Sequence, residues 1–253
     1  MADISLRNLT KLYGDKAALR DVTLDIPSGG VFVIMGLSGS GKSTLIRHIN
    51  RLIEPTSGTV TFDGRDVTAL DARALREFRR RSVSMVFQGF GLMPHMTVLD
   101  NVAFGLVARG EPKAQAHAAA REWIHAVGLD GRDGAWPDEL SGGMKQRVGL
   151  ARALATGTDT LLMDEAFSAL DPLIRADMQD LLLALRRKSN TTVVFVTHDL
   201  SEAVRIGDRI AILRDGEVVQ TGTPREILDH PADDYVARFV AVARQNRLGE
   251  QTP

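Results

Sequence analysis

The chain has 253 residues, of which 44% are hydrophobic and 25% charged, with a formal net charge of −1. That composition can bury a core, which excludes wholesale disorder. With no basic excess it also excludes nucleic-acid binding through bulk charge, and with no cysteine it excludes disulfide frameworks and thiolate metal sites.

Along the chain, ISLRNL and VTLDI alternate in the strand period, and VFVIM (31–35) is a short apolar run of the buried kind. The N-terminus lacks the charged-then-apolar pattern of a secretion signal. Glycines from Gly36 to Gly41 break the third strand, and a helix is expected from about Lys42 to Asn50. Pro55, Ser57 and Gly58 mark a turn before TVTF, and SVSMVF (82–87) reads as a further strand. From Gly89 to about Ala155 the pattern becomes helical and rich in alanine. Strands return at TLLM (160–163), TTVVFVT (191–197) and RIAIL (209–213). Between the first two, a helix from Pro172 to Arg187 places Ile174, Met178, Leu181, Leu182 and Leu185 on one face, with Asp171 before Pro172 as its start signal. Strand-helix-strand order implies a parallel sheet with helices on its faces. The last dozen residues read as a loose tail. No stretch reaches the roughly 18 consecutive apolar residues that span a bilayer, so any membrane role must pass through a partner.

Gly36-Leu-Ser-Gly-Ser-Gly-Lys42-Ser43 fits G-x-x-x-x-G-K-[ST] and lies between a buried strand and a helix, as its mechanism requires. Glycines let the loop curl so that backbone N–H groups face phosphate oxygens, and the helix start adds partial positive charge. Gly36, Ser38, Gly39, Ser40, Gly41, Lys42, Ser43 and Thr44 are therefore candidate nucleotide-binding residues, Lys42 supplying a full charge and Ser43 a hydroxyl for Mg²⁺. The plain alternative is a glycine-rich turn.

TLLM ends in Asp164-Glu165. Carboxylates at the end of an apolar strand suit a site that opens onto Mg²⁺, with Asp164 orienting the metal and Glu165 polarising an attacking water. The plain alternative for the pair is a helix cap or a surface pair. Gln88 alone reads as a surface amide and His198 alone as a capping or core histidine. All four features, however, follow carboxyl ends of strands, where open parallel sheets bind ligands.

Leu140-Ser-Gly-Gly-Met-Lys-Gln-Arg147, with the elements above in this order, resembles an ABC-type ATPase subunit. The resemblance covers residues 3 to about 240. It implies a P-loop NTPase core of the RecA-like α/β class, with a mainly parallel sheet, an N-terminal antiparallel β subdomain and an inserted helical subdomain. The core would comprise 1–88 and 156–240, the helical subdomain 89–155, with a tail at 241–253. Ser141 reads locally as a helix N-cap. In the family, the turn of Ser141, Gly142 and Gly143 faces the γ-phosphate of ATP bound by the opposite subunit. Residue by residue, Tyr13 resembles the aromatic that stacks on adenine. Gln88 resembles the glutamine that senses Mg²⁺ and water. Ser168-Ala-Leu-Asp171 resembles the loop that crosses the dimer interface, and His198 the histidine that contacts the γ-phosphate.

INRLIEPTSG (49–58), GLMPHMTVLDNVAFG (91–105), MDEAFSALDPLIRADMQ (163–179) and RIGDRIAILRDGEVVQTGTPREIL (205–228) resemble the subfamily that imports quaternary amines such as glycine betaine, proline betaine or choline. The resemblance implies a homodimer that forms on ATP binding and sits peripherally on the cytoplasmic side of the cell membrane. Its partners would be transmembrane permease subunits and, indirectly, an extracytoplasmic binding protein. Longer members carry a tandem C-terminal regulatory domain of the CBS type, which is not expected here. A histidine, proline, carnitine or methionine importer, or a non-transport ABC ATPase, is the competing reading.

Overall fold

The computed structural model describes residues 3–188 and 191–249, with side chains over 3–184 and 191–242. The chain divides into two compact units, Met1–Leu70 with Thr192–Pro253, and Asp71–Thr191.

In the first unit, β1 (Ile4–Tyr13) and β2 (Lys16–Ile26) form an antiparallel hairpin, and β1 also pairs with β4 (Ser57–Phe62), which holds the short β5 (Arg65–Asp66). The alternation read from the sequence is visible in β2, where Leu19, Val22, Leu24 and Ile26 are buried between exposed neighbours. β3 (Val31–Met35) is buried at every position. It lies parallel to β8 (Thr192–Thr197) on one side and β9 (Arg209–Arg214) on the other, a central strand whose burial at every position means that its side chains are covered on both faces. β10 (Glu217–Gly222) returns antiparallel to β9, a strand the sequence pattern did not signal. α1 (Lys42–Ile49), α7 (Leu200–Ile206), α8 (Pro224–Asp229) and α9 (Asp234–Gly249) complete the unit. α9 corrects the expected tail, because regular helix continues through 241–249. Val236 and Val240, four residues apart, are buried on its inner face. Residues 250–253 lie outside those described.

In the second unit, β6 (Val83–Val86) and β7 (Thr160–Asp164) pair in parallel. The stretch read as helical contains α3 (Val98–Ala108), α4 (Lys113–Ala126) and α5 (Gly142–Ala155), which pack on one another. α6 is Pro172–Lys188, close to its expected bounds. α2 (Ala72–Arg81) was not anticipated: its ARALREFRRR buries only Leu75 and Phe78, too few to show a 3.6-residue period. Its start is nevertheless fixed locally, since Asp71 Oδ1 accepts from the Ala74 N–H at 2.7 Å. The architecture is thus α/β, with an antiparallel sheet, mostly parallel buried strands and a helical subdomain.

Candidate functional site

Each unit carries one group of the candidate residues. In the first, Met35 of β3 and Thr197 of β8 are register partners, so the glycine loop and His198 leave neighbouring parallel strands at the same end. Two glycines here are required by geometry. A Cβ on Gly36 would lie 2.3 Å from the Leu213 carbonyl oxygen, and Gly41, at φ 100°, would put one 2.5 Å from the Ala18 carbonyl. Lys42 is 5% exposed, and its Nζ donates to the Gly36 and Leu37 carbonyls at 2.9 and 3.0 Å. The ammonium is therefore held across the base of the loop, while Leu37, Ser38 and Gly39 form an exposed crest. Ser40 Oγ is buried and has no partner among the described residues, an orphaned polar atom inside the cradle. Ser43 and Thr44 lie in the first turn of α1, where the N–H groups of a helix start and the helix dipole favour an anion.

His198 is exposed on a turn fixed from both sides. Thr197 Oγ1 donates to Glu202 Oε2 at 2.5 Å, the Asp199 N–H donates to Thr197 Oγ1, and Asp199 caps α7 by accepting from Ser201 and Glu202. Tyr13, at the end of β1, is 53% exposed, with Lys11 Nζ 5.0 Å from its ring centroid. A half-exposed aromatic ring is of the kind that stacks on a flat base.

In the second unit, Val86 and Met163 are register partners, which brings Gln88 beside Asp164-Glu165. Gln88 Nε2 donates to Glu165 Oε2 at 3.1 Å. Asp164 is fully buried and Glu165 half-buried. Glu165 has φ 48°, a left-handed conformation that a non-glycine residue keeps only when its surroundings hold it. The hold is visible: the Ser168 N–H and hydroxyl both donate to the Glu165 carbonyl, at 3.2 and 2.9 Å.

Ser141 Oγ accepts from the Met144 N–H at 3.3 Å, so it is the N-cap of α5, as the local reading gave. Gly143 lies close to the 168–171 loop, with space for a Cβ 3.6 Å from the Leu170 side chain. Asp171 caps α6, its Oδ1 accepting from the Ile174 N–H at 3.1 Å.

Two supporting residues escaped the sequence reading. Glu202 was legible in principle, since Asp199-x-x-Glu202 has capping-box spacing. Arg152 of α5 was not: its guanidinium donates to the Gly91 and Phe90 carbonyls at 2.6 and 3.2 Å, partners some sixty positions away.

A glycine loop between a buried strand and a helix, with a lysine drawn across its base, defines a P-loop nucleotide-binding protein. Ser43 in the first unit, and Gln88 and Asp164 in the second, each offer an oxygen, the ligand type that suits a hard cation such as Mg²⁺. The model of the family described as ABC transporter matches residues 19–168, and the chain belongs to that family. It is 57% identical over 236 residues to the glycine betaine/proline betaine transport system ATP-binding protein ProV of Salmonella typhimurium, covering 93% of this chain and 59% of that protein. To the glycine betaine transport ATP-binding protein OpuAA of Bacillus subtilis it is 53% identical, covering 92% of this chain and 56% of the relative. The chain thus spans under two thirds of the length of these curated relatives. The solved dimeric structure of the ATP-binding cassette MJ0796 in a post-hydrolysis state bound to ADP and Pi superposes with a TM-score of 0.84 at 37% identity, covering 88% of this chain and 99% of that one.

Proposed function

We propose that the chain is the ATP-hydrolysing subunit of an importer for quaternary ammonium compounds such as glycine betaine, proline betaine or choline. The observation that carries hydrolysis is the Gln88–Glu165 hydrogen bond at 3.1 Å beside the buried Asp164. An amide N–H given to one carboxylate oxygen orients the Glu165 carboxylate, a group whose oxygens can accept a proton from water. The importer class is supported by the identities of 53–57% to betaine-transport ATP-binding proteins.

Lys42, the N–H groups of Gly36 and of Ser38 to Thr44, and the Ser38 and Ser40 hydroxyls hold the phosphates, and Tyr13 stacks on the adenine. Ser43, Gln88 and Asp164 would hold Mg²⁺, which neutralises charge on the phosphate oxygens when bound. Glu165 takes a proton from water as the water oxygen bonds to the γ-phosphorus. The bond from that phosphorus to the bridging oxygen breaks, leaving ADP and phosphate. His198 steadies the charge spreading over the γ-phosphoryl oxygens. Two copies sandwich ATP, each offering its Ser141-Gly142-Gly143 turn and Asp171 loop to nucleotide held by the other. Permease subunits carry the solute across the membrane, the chain sitting peripherally on the cytoplasmic side, and an extracytoplasmic binding protein delivers the solute.

Glu165→Gln keeps the shape and loses the base. Phosphate release should fall at least about a hundredfold while equilibrium dialysis still finds bound Mg-ATP; turnover at the parent rate would remove Glu165 as the base. In the reconstituted complex, glycine betaine should stimulate ATPase activity where histidine and methionine do not. Stimulation by an amino acid alone would reassign the importer.

A further inference from the structure

The phosphate loop is held at its crest by a residue of α9 that no nucleotide-binding motif includes. Tyr235 Oη accepts from the Leu37 N–H at 3.3 Å and donates to the Leu213 carbonyl at 3.1 Å. That carbonyl is the atom against which Gly36 packs so closely that a Cβ would come within 2.3 Å. One hydroxyl therefore ties Leu37, the second residue of the loop, to the end of β9. The ring is itself fixed. Arg214 lies over it at 5.2 Å and is paired with Asp233 at 3.0 Å, while Phe239 meets it edge to face at 5.1 Å. Tyr235 and Leu37 also share a wall of a cavity of about 450 Å³ that reaches His198.

The geometry points to Tyr235 as a positioning residue for the phosphate loop. It occupies the Leu37 N–H, so that this group is turned to the protein and the loop's remaining N–H groups keep one shared orientation toward phosphate. The loop is thereby positioned from α9. The assignment rests on the reading of the chain as an ATPase and adds to it a residue acting through Leu37 rather than on the nucleotide.

The test is Tyr235→Phe, which removes one oxygen and keeps the ring, beside Phe239→Leu, which removes the edge contact and keeps the hydroxyl. The Phe variant should raise KM for ATP about threefold to tenfold, the range of one lost hydrogen bond, with kcat within about twofold and an unchanged melting temperature. Phe239→Leu should lower the melting temperature and leave KM alone. The proposal is overturned if Tyr235→Phe has the parent's KM, or if both variants raise KM in step with lost stability. An inactive parent would instead count against the ATPase reading, with Lys42→Ala as the non-binding control.

Discussion

His48, on the α1 turn behind the phosphate loop, is 1% exposed. Its Nδ1 meets the Thr44 carbonyl at 2.6 Å, so that nitrogen carries the proton, and Nε2 has no partner among the described residues. Burial pulls the imidazole below its ordinary value, only partly offset by the Thr44 carbonyl. The unfolded chain then binds the proton first, so stability is full above about pH 6.5 and declines as pH falls through that value. The slope from one proton is at most about 1.4 kcal/mol per pH unit. Melting curves between pH 7.5 and 5.5 should show the decline, and His48→Gln, which cannot titrate, should flatten it; an unchanged slope would assign the effect elsewhere. Glu165 offers a different kind of residue-scale information. Its type and place at the strand end were readable, but its left-handed φ of 48° was not. The conformation is imposed by a turn whose donors come from Ser168.

At the scale of elements, α5 shows how one helix serves two purposes. Its start presents Ser141-Gly142-Gly143, and its body carries Arg152 to the carbonyls of Phe90 and Gly91, just beyond Gln88. Phe90 has φ 64° and Gly91 φ 57°, a tight reversal whose outward carbonyls need a donor. Burial lowers the Arg152 pKa from its ordinary value, yet a guanidinium stays charged and keeps its fork of donors. Arg152→Met preserves much of the packing and strands both carbonyls, at a cost of about 1–3 kcal/mol. Urea unfolding measures that, and a loss below about 0.5 kcal/mol would show the carbonyls find water instead. β3 and β7 were legible because each is buried throughout and carries a continuous apolar run, VFVIM in the one and Leu161 to Met163 in the other. α2 was hidden because a helix with two buried residues has no periodic face, and β10 because EVVQTG is only half covered.

For the whole molecule, the sandwich reading predicts that Glu165→Gln with Mg-ATP elutes at twice the mass it shows without nucleotide, since closure needs ATP and hydrolysis releases it. Light scattering that finds only monomer under saturation would reject the shared site. Among the described residues no helix is long and apolar enough to cross a membrane. Taken by itself, the sequence determined the chemistry: a glycine loop with Lys42, carboxylates at a strand end, and a serine-glycine turn are local patterns, each written in consecutive residues. Tertiary structure alone decided which groups meet. The register of β3 with β8 sets His198 beside the loop, that of β6 with β7 sets Gln88 against Glu165, and α9 returns Tyr235 to Leu37. The physical reason is that a hydrogen bond between distant residues depends on strand pairing and packing, and neither leaves a trace in the spacing of the residues that make it.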